Sequence, residues 1–477
     1  MPITTPHQRF AHTATPRLCA LTGALVLGLV LSGCASWAPK HVLGPDSVAV
    51  PAHWSTTAGD AGTSQPTALA QWWQGFNDPL MTALITQALQ NNTSVRSAQA
   101  ALQQSRALRD VKDSNSLPGV NASASAQRSQ ADSNTAANSF RAGLDASWEP
   151  DIFGANRSGL NAAEADIRAS EASLGDVQVS VAAEVALDYI QLRGQQAQLA
   201  IALSNLDSQQ ETLQITDWRA QAGLITALEV EQARTATEQT RAQIPALEAG
   251  IAQTRHALAV LCGQAPDALQ AQLEKSQPVP LAPPNLALSI PAQTLRQRPD
   301  VRAAEHRVTA ALARVSAADA ARYPGFSIGG SIGLNALTLA GLTKGASVVN
   351  ALLASVSVPL FDGGAGKAQV RAQEATLEQA RVAYQSVVLT ALKDVEDALV
   401  ALRGDRARLL RLEAAAQASA NAAMLAQQRY ASGLIDFQVV LQTQRTVMGA
   451  QDAVASARAS ISADHVRLYK ALGGGWV

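Results

Sequence analysis

Two hydrophobic periods alternate along this chain. In one stretch apolar positions recur every three, four or seven residues, at Val181, Val185, Tyr189, Leu192, Leu199, Leu203 and Leu206. A second stripe of the same kind runs through Val388, Leu392, Val395, Leu399, Leu402 and Leu409. That spacing predicts long helices packed in coiled-coil fashion. Residues 155–217 hold no proline. As one helix they extend about 95 Å at 1.5 Å per residue, far beyond what a globular core needs.

Elsewhere the period is two. Phe140, Ala142, Leu144, Ala146 and Trp148 alternate with Arg141, Gly143, Asp145 and Ser147. Phe326, Ile328, Ile332 and Leu334 alternate with Ser327, Gly329, Ser331 and Gly333. Leu352, Ala354, Val356, Val358 and Leu360 alternate with Leu353, Ser355, Ser357 and Pro359, and residues 120–128 form a weaker run. Such segments, apolar on one side and small or polar on the other, suit strands of a membrane barrel with a wet interior. A soluble sandwich is the competing reading. Four strands cannot close a membrane barrel, whose smallest members have about eight, so a barrel here needs several chains.

The chain is written twice. Leu192-Arg193-Gly194-x-x-Ala197-x-Leu199 returns 210 positions later as Leu402-Arg403-Gly404-x-x-Ala407-x-Leu409. Arg219-x-x-x-Gly223-Leu224-Ile225 and Glu164-Ala165 return at the same offset, as Arg429-x-x-x-Gly433-Leu434-Ile435 and Glu374-Ala375. Leu117-Pro118-Gly119-Val120 is echoed by Tyr323-Pro324-Gly325-Phe326 at an offset of 206. A tandem duplication follows. Each half is expected to hold a helix (79–116 and 298–322), two strands, a very long helix, a glycine turn and a return helix. Gly223 and Gly433 stand where each hairpin reverses, in the place glycine takes just past a helix end. The expected domains are a signal peptide at 1–33, a linker at 34–70, a first repeat at 71–277, a strap at 278–291 and a second repeat at 292–477. The strap carries Pro278, Pro280, Pro283, Pro284 and Pro291.

Composition agrees with helical walls. The chain is 47% hydrophobic but only 4% aromatic, and alanine supplies much of the difference. Net charge is −1, so nothing points to nucleic acid. The start differs in character. Arg9, His12 and Arg17 precede an apolar run from 18 to 31 that ends in Leu31-Ser32-Gly33-Cys34. This reads as a secretory signal, too short to span a bilayer. Its ending resembles a bacterial lipobox, which implies lipid on Cys34. Ala35 follows, and that resembles lipoproteins sent to the outer membrane. After cleavage Cys262 alone remains, so no internal disulfide is expected.

Motifs along the mature chain carry a wider resemblance. They are Trp72-Trp73-x-x-Phe76-x-Asp78-Pro79, Ser147-Trp148-Glu149-Pro150-Asp151-Ile152-Phe153-Gly154 and Arg298-Pro299-Asp300-Val301-Arg302-x-Ala304-Glu305. Val358-Pro359-Leu360-Phe361-Asp362-Gly363-Gly364, Asp394-Val395-Glu396-Asp397-Ala398-Leu399 and Tyr469-Lys470-Ala471-Leu472-Gly473-Gly474-Gly475-Trp476 continue the series. Met81 stands where the first pattern ends in leucine. Together these resemble the outer-membrane factors, the TolC/OprM/NodT-type efflux lipoproteins.

The resemblance implies a mainly α fold with a membrane β-barrel. Three chains share twelve strands, four from each, above a long periplasmic α-helical barrel. It implies a passive conduit partnered by a periplasmic adaptor and an inner-membrane transporter, read here as proton-driven. The tips Gly223-Leu224-Ile225 and Gly433-Leu434-Ile435 would meet the adaptor; a plain turn with leucine packed inward is the alternative. Family members often carry aspartate in V-L-D-A-Q-R as an acidic ring, but here the run is Val440-Leu441-Gln442-Thr443-Gln444-Arg445. Gln442 removes that charge. Leu441, Glu229 and Asp436 remain gate candidates, with Arg219, Arg429 and Arg445 as ion-pairing partners; solvated helix-end charges are the alternative.

Trp148, Phe140 and Phe326 are expected either at the membrane interface or in a core at the barrel base. Asp394, Glu396 and Asp397 read as a helix face rather than a catalytic cluster. His256, His306 and His465 fit no metal motif. No enzyme, metal or cofactor is expected beyond the lipid on Cys34. Two rival readings stand beside the efflux channel: an outlet for ABC-driven protein secretion, and a periplasmic coiled-coil scaffold that spans no membrane.

Overall fold

The computed structural model describes residue 54 and residues 70–130, 136–282 and 292–475. The segment expected to be a signal peptide, Cys34, Pro283, Pro284, Pro291 and Trp476 lie outside the described residues. The first half holds helices α1 (Pro79–Asn91) and α2 (Thr93–Ser114), and strands β1 (Gly119–Ser129) and β2 (Ala137–Trp148). The long helices α3 (Ala155–Gln221) and α4 (Ala227–Leu261) complete it. The second half holds α5 (Pro299–Ala320), β3 (Gly325–Ala336), β4 (Val348–Ser357), α6 (Ala365–Ala431) and α7 (Phe437–Ala471). The duplication is visible in the elements. Helices α3 and α6 both have 67 residues, and α4 and α7 both have 35.

Both long helices begin at an aspartate of a motif. Asp151 accepts the backbone N–H groups of Asn156 and Arg157 at 3.1 and 2.7 Å. Asp362 accepts those of Gly364 and Gly366 at 2.7 and 2.8 Å, and these bonds hold its carboxyl below the usual range. A carboxylate there fills otherwise unbonded donors and meets the positive end of the helix dipole. The upper face of α3 is small: Ala162, Ala165, Ala169, Ala172 and Gly175 are buried. Helix α5 packs along α3, and a face of small residues lets helices approach closely.

The helix expected over 79–116 is two. Asn92 has ψ of 135°, outside the helical region. Its side chain accepts the Ser94 N–H at 2.8 Å and donates to the Leu261 carbonyl at 2.9 Å. The break therefore caps α2 and also satisfies the end of α4.

The core sits midway along the helices. Trp72, Trp73, Phe76, Met81 and Leu84 bury against Val185, Tyr189 and Leu192 of α3. Trp72 stacks on Tyr469 of α7 at 5.3 Å. Inside this core Arg193 is fully buried, donating to Gln196 Oε1, the Lys275 carbonyl and Tyr189 Oη at 2.7, 2.8 and 3.0 Å. Tyr189 in turn donates to Asp78 at 2.8 Å. Of the predicted stripe, Leu203 departs: it is exposed.

The four strands form one antiparallel sheet in the order β1-β2-β3-β4. Its register aligns the apolar rows. Leu144 faces Ala122 on one side and Ile332 on the other, and Ala142 faces Ala124 and Leu334. The other face carries hydrogen bonds from Ser123 to Asp145 and between Ser327 and Ser355, at 2.9 and 2.6 Å. Leu144, Ile332 and Leu352 are exposed, and among the described residues no second sheet packs on this one. This sets the sandwich reading aside. Strand β4 starts and ends earlier than the expected 352–360. Proline at 359 lacks an N–H for the ladder, and Val358 and Leu360 fall outside the strand. β4 is apolar on both faces, through Val348 and Leu352 on one and Val349 and Leu353 on the other. An unpaired edge of that kind calls for a neighbouring chain.

The aromatics divide. Trp148 is partly exposed and donates to the Ser116 carbonyl at 3.0 Å. Phe153 stacks on Tyr323 at 5.0 Å and lies 6.4 Å from Phe326. This group marks the junction of strands and helices. Phe140 lies toward the far end of β2, paired with Ala336.

Candidate functional site

The two hairpin tips are built alike. Gly223 and Gly433 both have φ of +70°, the left-handed conformation glycine adopts without strain. At the first tip Gly223 N–H bonds the Ala220 carbonyl and Leu224 N–H bonds the Arg219 carbonyl, both at 2.9 Å. At the second, Gly433 N–H bonds the Tyr430 carbonyl at 3.0 Å and Leu434 N–H bonds the Arg429 carbonyl at 2.9 Å. This paired closure satisfies the last carbonyls of α3 and α6 and turns the next side chain outward. Leu224 and Leu434 are 73% and 72% exposed. The inward-packed alternative does not hold for them. Ile225 and Ile435 are half-buried, and Ile435 packs on a small core around Phe437 and Val440.

The surroundings of the tips differ. Trp218 and Leu228 are 58% and 63% exposed beside the first. The residues 210 positions later, Gln428 and Gln438, are polar.

The gate candidates take separate roles. Glu229 is half-buried and accepts the Thr226 backbone N–H at 2.9 Å, so it caps α4. Asp436 precedes α7, exposed, without a side-chain capping bond. Arg219 lies over the Tyr430 ring at 5.0 Å, and that ring packs on Phe437 at 5.4 Å. This cation–π contact ties the two hairpins together within the chain. Among the described residues Arg219, Arg429 and Arg445 make no ion pair inside the chain. Leu441 is 7% exposed and packs in the tip core around Phe437, and it also lines the groove described next. Gln442 and Arg445 are exposed and line a groove of about 730 Å³ with Leu228, Glu231, Gln438 and Val439. This groove runs between the starts of α4 and α7. Glu231 is paired with Arg234 at 2.8 Å.

Groups with chemical potential elsewhere are structural. Asp394 lies 3.6 Å from Arg298, whose guanidinium also grips Asp300 and donates to the Ala471 carbonyl. Asp397 pairs with Lys393 at 2.9 Å. Buried His465 bonds the Ile461 carbonyl and Arg406, and burial lowers its pKa. Burial pushes the Cys262 thiol up to about 11. Among the described residues no group of side chains could hold a metal ion. Sequence reasoning missed Arg193, Asn92 and Tyr430. Arg193 was quoted in the repeat, but nothing local distinguishes it from Arg403.

A family profile described as outer membrane efflux protein matches residues 84–264 and 290–474, one match on each repeat. The chain belongs to this outer membrane efflux protein family. It is 30% identical over 465 residues to the pyoverdine export outer membrane protein OpmQ of Pseudomonas aeruginosa, covering 95% of this chain and 96% of that protein. It is 32% identical over 469 residues to the toluene efflux pump outer membrane protein TtgF of Pseudomonas putida, covering 95% and 96%. The solved outer-membrane channel OprN superposes with a TM-score of 0.82 at 34% identity, covering 90% of this chain and 98% of that one.

The fold is therefore the family's. Three chains share one twelve-stranded barrel, and their helices form a duct below it. The exposed edges of β1 and β4 are where such a barrel closes between chains. The protein is the outer-membrane channel of a tripartite efflux system, working with a periplasmic adaptor and an inner-membrane pump. A scaffold that spans no membrane is set aside.

Proposed function

We propose that this channel is a lipid-anchored, passive conduit for drugs or other small solutes, fed by a proton-driven transporter whose adaptor docks on the hairpin tips. The exposure of Leu224 and Leu434 beside their glycine turns carries the docking reading. Exposed leucines on rigid closures form a small apolar surface that a partner covers. The mature chain begins at Cys34, whose diacylglycerol and amino-terminal acyl chains hold it in the outer membrane. It acts without catalysis and without a cofactor other than this lipid. At the gate, Asp436 and Arg445 face neighbouring chains, and pairs between chains hold the resting entrance. Exposed pairs contribute about 0–1 kcal/mol each, a scale that an arriving adaptor can overcome.

A photo-crosslinking residue at position 224 or 434, in cells, tests the docking. Capture of an adaptor together with a proton-driven pump is the expected result. Capture of an adaptor with an ABC exporter would move the cargo to secreted protein. Capture of neither, with the channel abundant in the outer membrane, would overturn tip docking. Because Trp218 and Leu228 flank only the first tip, Leu224→Asp should reduce adaptor capture more than Leu434→Asp. Metabolic labelling with palmitate should mark the wild-type chain and leave Cys34→Ser unlabelled.

A further inference from the structure

The two strand hairpins end in unlike loops. Residues 130–136 read Gln-Ala-Asp-Ser-Asn-Thr-Ala, whereas residues 337–347 read Leu-Thr-Leu-Ala-Gly-Leu-Thr-Lys-Gly-Ala-Ser. The near ends of the strands join the periplasmic helices, so the 337–347 loop lies at the extracellular rim. The second loop is built rather than slack. It contains a 3₁₀ turn at Leu339–Thr343, capped by Thr338, whose hydroxyl accepts the Gly341 N–H at 3.2 Å. Ser347 Oγ donates to the Gly341 carbonyl at 2.6 Å.

The direction in which this turn folds is decided by its contacts. It packs on β2 and β3. A Cβ placed on Gly341 would lie 3.0 Å from the Ala336 Cβ. Ala336 belongs to the row of Leu334 and Ile332, on the apolar face of the sheet. On that face Phe140 and Leu334, near the loop, are half-buried, while Leu144 and Ile332, farther away, are 50% and 56% exposed. The turn thus covers the apolar face, which in a membrane barrel is the face toward lipid. It lies on the face opposite the one that lines the pore. Leu337 and Leu339 nevertheless remain 72% and 68% exposed, and Lys344 follows them, exposed. An apolar surface continuous with the lipid face, with a cation beside it, matches the level where acyl chains meet phosphates.

We propose that the 337–347 loop is a membrane anchor, folded outward over the barrel wall so that Leu337 and Leu339 insert into the outer leaflet. The anchor occurs once per chain, so a trimer carries three, spaced around the rim. Its occupant is membrane lipid, not a protein or a passing solute.

The test uses the purified trimer with Leu339→Cys, labelled with bimane and reconstituted in phosphatidylethanolamine–phosphatidylglycerol vesicles. Cys262 is buried with its thiol pushed up, and unsubstituted trimer carried through labelling fixes the background. The expected result is blue-shifted emission, quenched by doxyl-labelled lipid more strongly at shallow than at deep positions, and little affected by iodide. Quenching by iodide alone would put the residue in water or the pore and overturn the proposal. Blue-shifted emission insensitive to both quenchers would put it in a protein seam and also overturn it. Leu337→Cys serves as a second position should the first disturb assembly. A label at Leu224→Cys, on the tip, should show the iodide pattern.

Discussion

At the scale of single residues, the duplicated motif Leu-Arg-Gly does two jobs. Arg193 is fully buried and holds the Lys275 carbonyl and Gln196, while its counterpart Arg403 is exposed. Replacing Arg193 leaves buried acceptors without donors, which costs about 3 kcal/mol. Arg193→Met should lower the thermal midpoint of the trimer accordingly, and Arg403→Met should change stability by at most about 0.5 kcal/mol. Calorimetry on the two variants compares them directly. Asp188 offers a pH test. Burial, with Glu184 adding repulsion, raises its carboxyl from 3.8 to about 6. A raised acid stabilises the fold while protonated. That contribution is complete below pH 3.8 and is lost as pH rises through about 6. Asp188→Asn should therefore raise the midpoint at pH 7.5 and leave it nearly unchanged at pH 3.8, the value for the unfolded chain.

At the scale of elements, what was legible in the sequence was what local spacing controls. The heptad-like stripes, the alternating strands and the two glycine turns announce themselves because each is enforced by neighbours in sequence. What was hidden depends on distant partners. The break at Asn92 is held by a carbonyl at Leu261, and no pattern near Asn92 signals it. Leu203 fits the stripe yet is exposed, because a stripe says which side is apolar and not how far the covering helix reaches. Leu441 sits in a gate-like motif, and its packing in the tip core around Phe437 is set by residues that the motif does not name. Glycines make the same division testable. A Cβ at Gly223 meets nothing within 4 Å, so Gly223→Ala costs only the strain of φ +70°, about 1 kcal/mol, and should leave trimers intact. Gly263 closes α4 against α1, where a Cβ would lie 2.5 Å from the Asn91 carbonyl. Gly263→Ala adds a backbone collision and should cost about 3 kcal/mol or more. Trimer yield on unheated gels distinguishes the two.

At the scale of the whole molecule, threefold symmetry multiplies every charge at the entrance. Near the tips Glu229 is occupied as a cap and Glu231 is paired with Arg234. Gln442 is neutral and Arg445 exposed on the same groove. Position 442 carries an amide in place of a carboxylate. Gln442→Asp places three carboxylates there at once. Field lines focus in a narrow opening, so three like charges raise the local cation concentration more than they would on an open surface. In planar bilayers the variant should become more cation-selective, and polyvalent cations should block it from the periplasmic side only. Both effects should fade with added salt, as the screening length falls toward about 3 Å at 1 M. Unchanged selectivity would mean that residue 442 stands away from the conducting path.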